Sequence, residues 1–203
     1  VGTQALRQWQ RSHQKTILSH PTAVLSVSGV LVGLISAWHF SAAFEGVIFV
    51  VGAVGLFELA IIDAAVFLVP RRVLYPFVGL VLSSLVIEAL VQMSPSVVYV
   101  PLVAAALSVG ALYLLSRFGR DAMGMGDVRL GGLFALVVGV FGAKVVLVAW
   151  WLTFVFAGVV GIWKKKASAH LVRHIAFAPP MALGAVVAMC LGAQGARWWS
   201  LHG

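Results

Sequence analysis

Long apolar runs, one after another, decide what this chain can fold into. They fall at about 22–40, 46–69, 73–93, 97–116, 128–143, 145–163 and 175–193. A helix needs roughly 20 apolar residues to cross a hydrocarbon core of ~30 Å. Apolar residues make up 62 % of the sequence and charged residues 10 %, and the mean hydropathy is +1.05. A soluble domain of 203 residues has to face water with much of its surface and could not hide so much apolar area. The expected fold is therefore all-α, a polytopic transmembrane helical bundle of about seven spans. Helices are favoured because each satisfies its own backbone hydrogen bonds in lipid, and the short alternating segments of a β-barrel are absent.

Charge sets the orientation. With the N-terminus cytoplasmic, Arg7, Arg11, Lys15, Arg71, Arg72, Arg117, Arg120, Arg129, Lys164, Lys165, Lys166 and Arg173 all fall inside. Of the 14 basic residues only Lys144 and Arg197 fall outside. This is the positive-inside pattern. The net charge of +8 thus reports topology, and a nucleic-acid partner loses its main support. Residues 1–20 are polar and basic, without the pattern of a cleavable signal peptide. They read as a cytoplasmic arm or interfacial helix ahead of a transmembrane domain over 21–203. Pro70, Pro76, Pro95 and Pro101 stand at or near run ends, where proline disturbs a helix least. The run 128–143 is the weakest span: Gly131, Gly132, Gly139 and Gly142 suit tight packing against other helices rather than contact with lipid. Gly29 and Gly33 form a small-xxx-small pair read as helix packing. No internal repeat supports a two-halved transporter.

Only 6 acidic residues occur. Glu45 reads as a solvated charge in an outer loop. Glu58, Asp63 and Glu88 lie inside apolar runs, where an ionisable group is costly and marks a functional site or a buried partner. Asp63 stands about two helical turns before the Arg71-Arg72 boundary. Asp127, in Gly124-Met125-Gly126-Asp127, opens the fifth run on the same side. Topology therefore brings the two aspartates to similar depth near one face. Glu58 lies about 140° around the helix from Asp63 and reads as a neutral, packed or interhelical group, as does Glu88. Asp121 reads as balancing Arg117 or Arg120. Taken alone, Asp127 could be a helix cap and Asp63 a paired buried acid. Glycines at 124 and 126 can take positive φ and admit another chain closely, so an extended substrate segment could lie against them. Two adjacent carboxylates share one proton and titrate as a coupled pair. One member can accept a proton from attacking water while the other donates to the oxyanion. That chemistry needs no cofactor and no metal. The single Cys190 forms no CxxC pair, and the histidines lack ligand spacing; His170 and His174 read as interfacial.

Three segments, in order, resemble the type IV prepilin peptidases, bacterial membrane aspartyl proteases of the GxGD type. One is an aspartate followed seven residues on by proline, Asp63 to Pro70. The next is Gly124-Met125-Gly126-Asp127-Val128-Arg129-Leu130. The last is a Phe-x-Pro-x-x-x-x-Gly pattern, Phe177-Ala178-Pro179-Pro180-Met181-Ala182-Leu183-Gly184. The resemblance covers about residues 46–193. It implies that Asp63 and Asp127 are the catalytic pair, and that Gly124, Gly126, Pro70 and Pro179 border the substrate. It implies a multi-pass enzyme of the bacterial inner membrane. The substrate would be a prepilin or pseudopilin whose basic leader stays in the cytoplasm and whose apolar helix lies in the bilayer, cleaved at the cytoplasmic boundary. Larger members carry an N-terminal zinc-binding domain with four cysteines and also methylate the new amine. This chain resembles the compact, peptidase-only members instead. It departs from the family pattern in the apolar stretch between Asp63 and Pro70, and in Arg71, where Asp or Asn is usual. The competing expectation from the same carboxylates is a proton- or cation-coupled transporter.

Overall fold

The computed structural model describes residues 43–66, 69, 71–118, 124–167 and 176–202. The expected arm over 1–20, the first apolar run, Pro70, Asp121, His170 and His174 lie outside the described residues. The six remaining runs are all helices: α1 (Ala43–Val66), α2 (Arg71–Val91), α3 (Ser96–Phe118), α4 (Met125–Gly139), α5 (Ala143–Ala167) and α6 (Ala178–His202). No strand occurs among the described residues.

Four of these helices are long and apolar enough to cross a membrane, over Phe44–Ala64, Arg71–Val91, Ser96–Phe118 and Ala143–Trp163. The expectation of a full span at 128–143 is corrected. α4 has only 15 residues, about 22 Å of helix, against a hydrocarbon core of ~30 Å. Its C-terminus tightens at once: Phe141 N–H donates to the Val138 carbonyl at 3.0 Å and Gly142 N–H to that of Gly139 at 3.1 Å. Gly142, at φ +103°, then supplies the left-handed turn that a side chain would disfavour. Its carbonyl accepts from Val145 and Val146 to start α5.

α4 is short because it is the centre of the bundle. It packs on all five other described helices, and those five close a ring around it in the order α1, α2, α3, α5, α6 and back to α1. Every residue from Leu133 to Gly139 is buried. Glycine makes this density possible. A Cβ on Gly139 would lie 2.7 Å from the Pro101 Cα of α3, a backbone that cannot step aside. On the opposite side of the ring, α5 and α6 meet where a Cβ on Gly184 would lie 2.9 Å from the Ala149 carbonyl oxygen. Thr153 beside it returns its hydroxyl proton to that carbonyl at 2.8 Å, so no polar group is stranded in the seam. Gly184 of the Phe-x-Pro-x-x-x-x-Gly segment is thus a packing residue.

Pro76 and Pro101 lie inside α2 and α3 rather than at their ends, each deleting one backbone hydrogen bond. Pro101 is buried and makes the close contact with Gly139. α3 and α5 touch only lightly, leaving a lipid-side apolar cleft of about 660 Å³ lined by Leu107, Leu112, Leu147, Trp150 and Phe154 among others. The Trp150 indole N–H bridges it, donating to the Ser108 hydroxyl at 3.0 Å; polar pairs of this kind tie helices together in membranes.

Two alanine substitutions test this packing. Gly139→Ala drives a methyl into the Pro101 backbone and should cost about 1–3 kcal/mol, the usual range for overpacking. Gly110→Ala, whose new Cβ would meet nothing within 4 Å, should be neutral or slightly stabilising. Thermal unfolding of each variant in detergent measures the difference.

Candidate active site

Asp63 projects from the last turn of α1 and is only 5 % exposed. A carboxylate so deep needs hydrogen-bond donors, and it finds them across the bundle. The Ala178 peptide N–H donates to its Oδ2 at 3.3 Å, with the Phe177 N–H as a second donor. Ala178 is the first residue of α6, and Phe177 caps that helix, its carbonyl accepting from Met181 N–H at 3.2 Å. The first N–H groups of a helix have no partner within it. Pro179 and Pro180 subtract two of them, since proline carries none. The donors left free at the head of α6 are therefore the ones that meet Asp63. The helix dipole also presents its positive end there.

Asp127 stands in the first turn of α4, ahead of the apolar segment that begins at Val128. Gly124 is the N-cap, with extended backbone at φ −73°, ψ 149°. Its carbonyl accepts from Asp127 N–H at 3.0 Å and Val128 N–H at 3.4 Å. Asp127 is thus the third residue of the helix rather than its cap. Its carboxylate reaches back to the Gly124 N–H, as the acidic member of a capping box does. Neither Gly124 nor Gly126 has positive φ, so the expectation that these glycines supply a left-handed turn is corrected. Gly126 is needed for a close approach within the chain. A Cβ there would lie 3.3 Å from the Val69 Cβ, on the segment that follows α1. That contact draws the end of α1 to the start of α4.

The result joins two acids far apart in sequence at one end of the bundle, close enough that the charge of Asp63 acts on Asp127. Burial, then the Asp63 charge, push the Asp127 carboxyl up to about 6, against the smaller opposing pull of the Gly124 N–H. The arrangement brings two carboxylates together, each met by peptide N–H groups at the N-terminus of a different helix.

The other expected residues separate clearly. Pro179 lies in the first turn of α6 beside Asp63's donors; Gly124 is exposed, and Gly126 is taken up against Val69. Glu45 belongs to the first turn of α1, half-buried rather than in a loop. Glu88 accepts a hydrogen bond from Gln92, just past the end of its own helix, not from a neighbouring helix. Ala178 and Phe177 as peptide donors escaped the sequence. Their one trace is Pro179-Pro180, which marks a helix start but does not say what faces it. Phe177 is anchored in turn: its ring lies 6.1 Å from Phe154, which stacks at 5.9 Å on Trp150.

Helices of membrane-crossing length and two carboxylates, Asp63 buried and Asp127 half-buried, at one end of the bundle define a helical membrane protein with an acid–acid site. A family model described as the type IV leader peptidase family matches residues 50–162, more than half of the 203 residues. The chain belongs to that family and is a membrane peptidase. The matched segment contains both aspartates and ends before the head of α6. No curated protein and no solved structure matches the chain.

The coupling between the two acids can be read directly. Asp63→Asn removes the negative neighbour and should lower the pH at which Asp127 titrates from about 6. The value should stay above the ordinary range near 3.9, because burial is the larger cause. Carboxyl ¹³C shifts of aspartate-labelled protein, followed against pH, report the change.

Proposed function

We propose that this chain is an aspartic endopeptidase that removes the basic leader of prepilins or pseudopilins at the cytoplasmic boundary of the bacterial inner membrane. Asp63 and Asp127 form its catalytic pair. The observation that carries this reading is the meeting of the two acids at one end of the bundle, where the charge of Asp63 acts on Asp127. Two acids that share one proton hold both halves of the needed chemistry. The ionised member takes a proton from water as the water attacks the scissile carbonyl. The protonated member donates to the oxygen on which negative charge develops.

Depth supports the choice of substrate. Asp63 lies in the last turn of a span of crossing length, with Arg71 and Arg72 exposed just beyond it at the start of α2. A bond cut at that level sits where an apolar helix leaves the membrane and a basic leader begins. The exposed Gly124 leaves room beside Asp127 for an extended main chain, with Pro179 on the other flank and Pro70 following α1. The basic residues retain the orientation proposed from their distribution, N-terminus inside, with a transmembrane domain over 21–203 after the arm.

Cleavage of a purified prepilin by the full chain in proteoliposomes, sized by gel, tests the reading. Asp63→Asn and Asp127→Asn should each lower the rate by at least about 10²–10⁴-fold, the range for loss of an acid or base. Insertion and abundance should not change. Full activity in either variant overturns the assignment, and proton-coupled flux without a cleaved product would favour a transporter.

A further inference from the structure

We propose that the peptide N–H groups opening α6 position Asp63 as the member of the pair that accepts the proton of the attacking water, leaving Asp127 as the donor. The inference rests on the aspartic-peptidase reading and assigns its two roles.

The two carboxylates differ in the number of fixed peptide donors each receives. Asp63 Oδ2 accepts from Ala178 at 3.3 Å, with Phe177 as a second donor, and it faces the positive pole of α6. Hydrogen bonds from fixed N–H groups favour the ionised form of a carboxylate. Asp127 receives one peptide donor, Gly124, and stands against the Asp63 charge. Of the other groups around Asp63, α6 brings only peptide N–H at this point. From α2, Arg71 and Arg72 are exposed. On α1 itself, Glu58 lies about 140° around the helix. Asp127 on α4 is the other acid, and it feels the charge of Asp63. Its carboxyl, held up to about 6, keeps a proton over a wider pH range than an ordinary aspartate.

The segment that supplies the donors is built for the task. Phe177 caps α6 through the Met181 bond and is held against Phe154. Pro179 and Pro180 cannot donate, so the first turn offers nothing that would draw the carboxylate away from Ala178. The chemical cycle then closes. Water oxygen bonds to the carbonyl carbon, and its proton passes to Asp63. The carbonyl electron pair moves to oxygen, which takes the Asp127 proton. On collapse the carbon–nitrogen bond breaks, and the departing nitrogen takes the proton from Asp63. Asp127 recovers its own from the hydroxyl that becomes the new carbonyl. Both acids end as they began.

Ala178 is a positioning residue, and its donor can be deleted almost alone. It occupies the first helical position, where proline is well tolerated, so Ala178→Pro removes the N–H while keeping the helix. With the full chain in detergent and a peptide of basic leader, glycine and apolar helix as substrate, kcat should fall about ten- to hundredfold, the worth of a hydrogen bond to a charged group. KM should stay within about twofold, as expected for an interaction that acts on the reacting charge rather than on binding. The acid limb of the kcat–pH profile should move up by about one unit. The conservative Ala178→Gly, which keeps the donor, should rescue both rate and profile. If Ala178→Pro does not fold, replacing the amide at 178 by an ester removes the same N–H with less disturbance, and the same shifts are expected. Wild-type kcat and profile in the donor-less protein would overturn the inference, as would an equal loss in Ala178→Gly. Because Asp63→Asn and Asp127→Asn are assayed alongside, inactive aspartate variants beside an unaffected Ala178→Pro would sink the role assignment alone, whereas active aspartate variants would sink the peptidase reading itself.

Discussion

The dense burial of α4 is the constraint on which the rest of the molecule depends. A helix of 15 residues cannot reach both surfaces of a bilayer, so at least one of its ends must be walled by protein rather than by lipid. The five surrounding helices supply that wall. In lipid there is no hydrophobic drive to bring helices together, and close van der Waals contact does most of the work. The small residues of α4 permit that contact, with the Pro101 backbone seated on Gly139.

From that packing the chemistry follows. The ring fixes where α1 ends and where α4 and α6 begin, and these three termini meet. Two are N-termini, whose free peptide groups and dipoles draw negative charge. The third carries Asp63. Two acids in an apolar bundle would ordinarily be an expensive arrangement. Here each is met by peptide donors, so the cost is reduced.

Much of this was legible in the sequence. Six apolar runs predicted six helices, with boundaries off by up to four residues except at the end of α6, which continues nine residues past 193, because hydrocarbon leaves the backbone few alternatives. The aspartates stood out because carboxylates in apolar runs are rare, and positive-inside counting placed both near one face. The glycines of α4 correctly announced packing against protein. The shortness of α4 was less legible: the apolar run continues through Val140 and Phe141, and only the turn at Gly142 ends the helix. Gly126 looked like a flexible hinge, yet its conformation is ordinary and its missing Cβ serves Val69. The donors to Asp63 were invisible for a more basic reason. Every residue but proline carries a peptide N–H, so residue types reveal such a partner only by default, where prolines thin out the competitors.

Chain order gives the α6 donors a temporal meaning. Ribosomal synthesis delivers Asp63 first, Asp127 second and the Phe177–Ala178 peptide groups last. A nascent chain that stops after α5 already possesses both acids, yet one flank of the ring is open and Asp63 lacks its stabilising partners. The groups that hold the Asp63 carboxylate are thus the last part of this cluster to be made, and the acid gains its peptide donors only once the head of α6 has docked against α1.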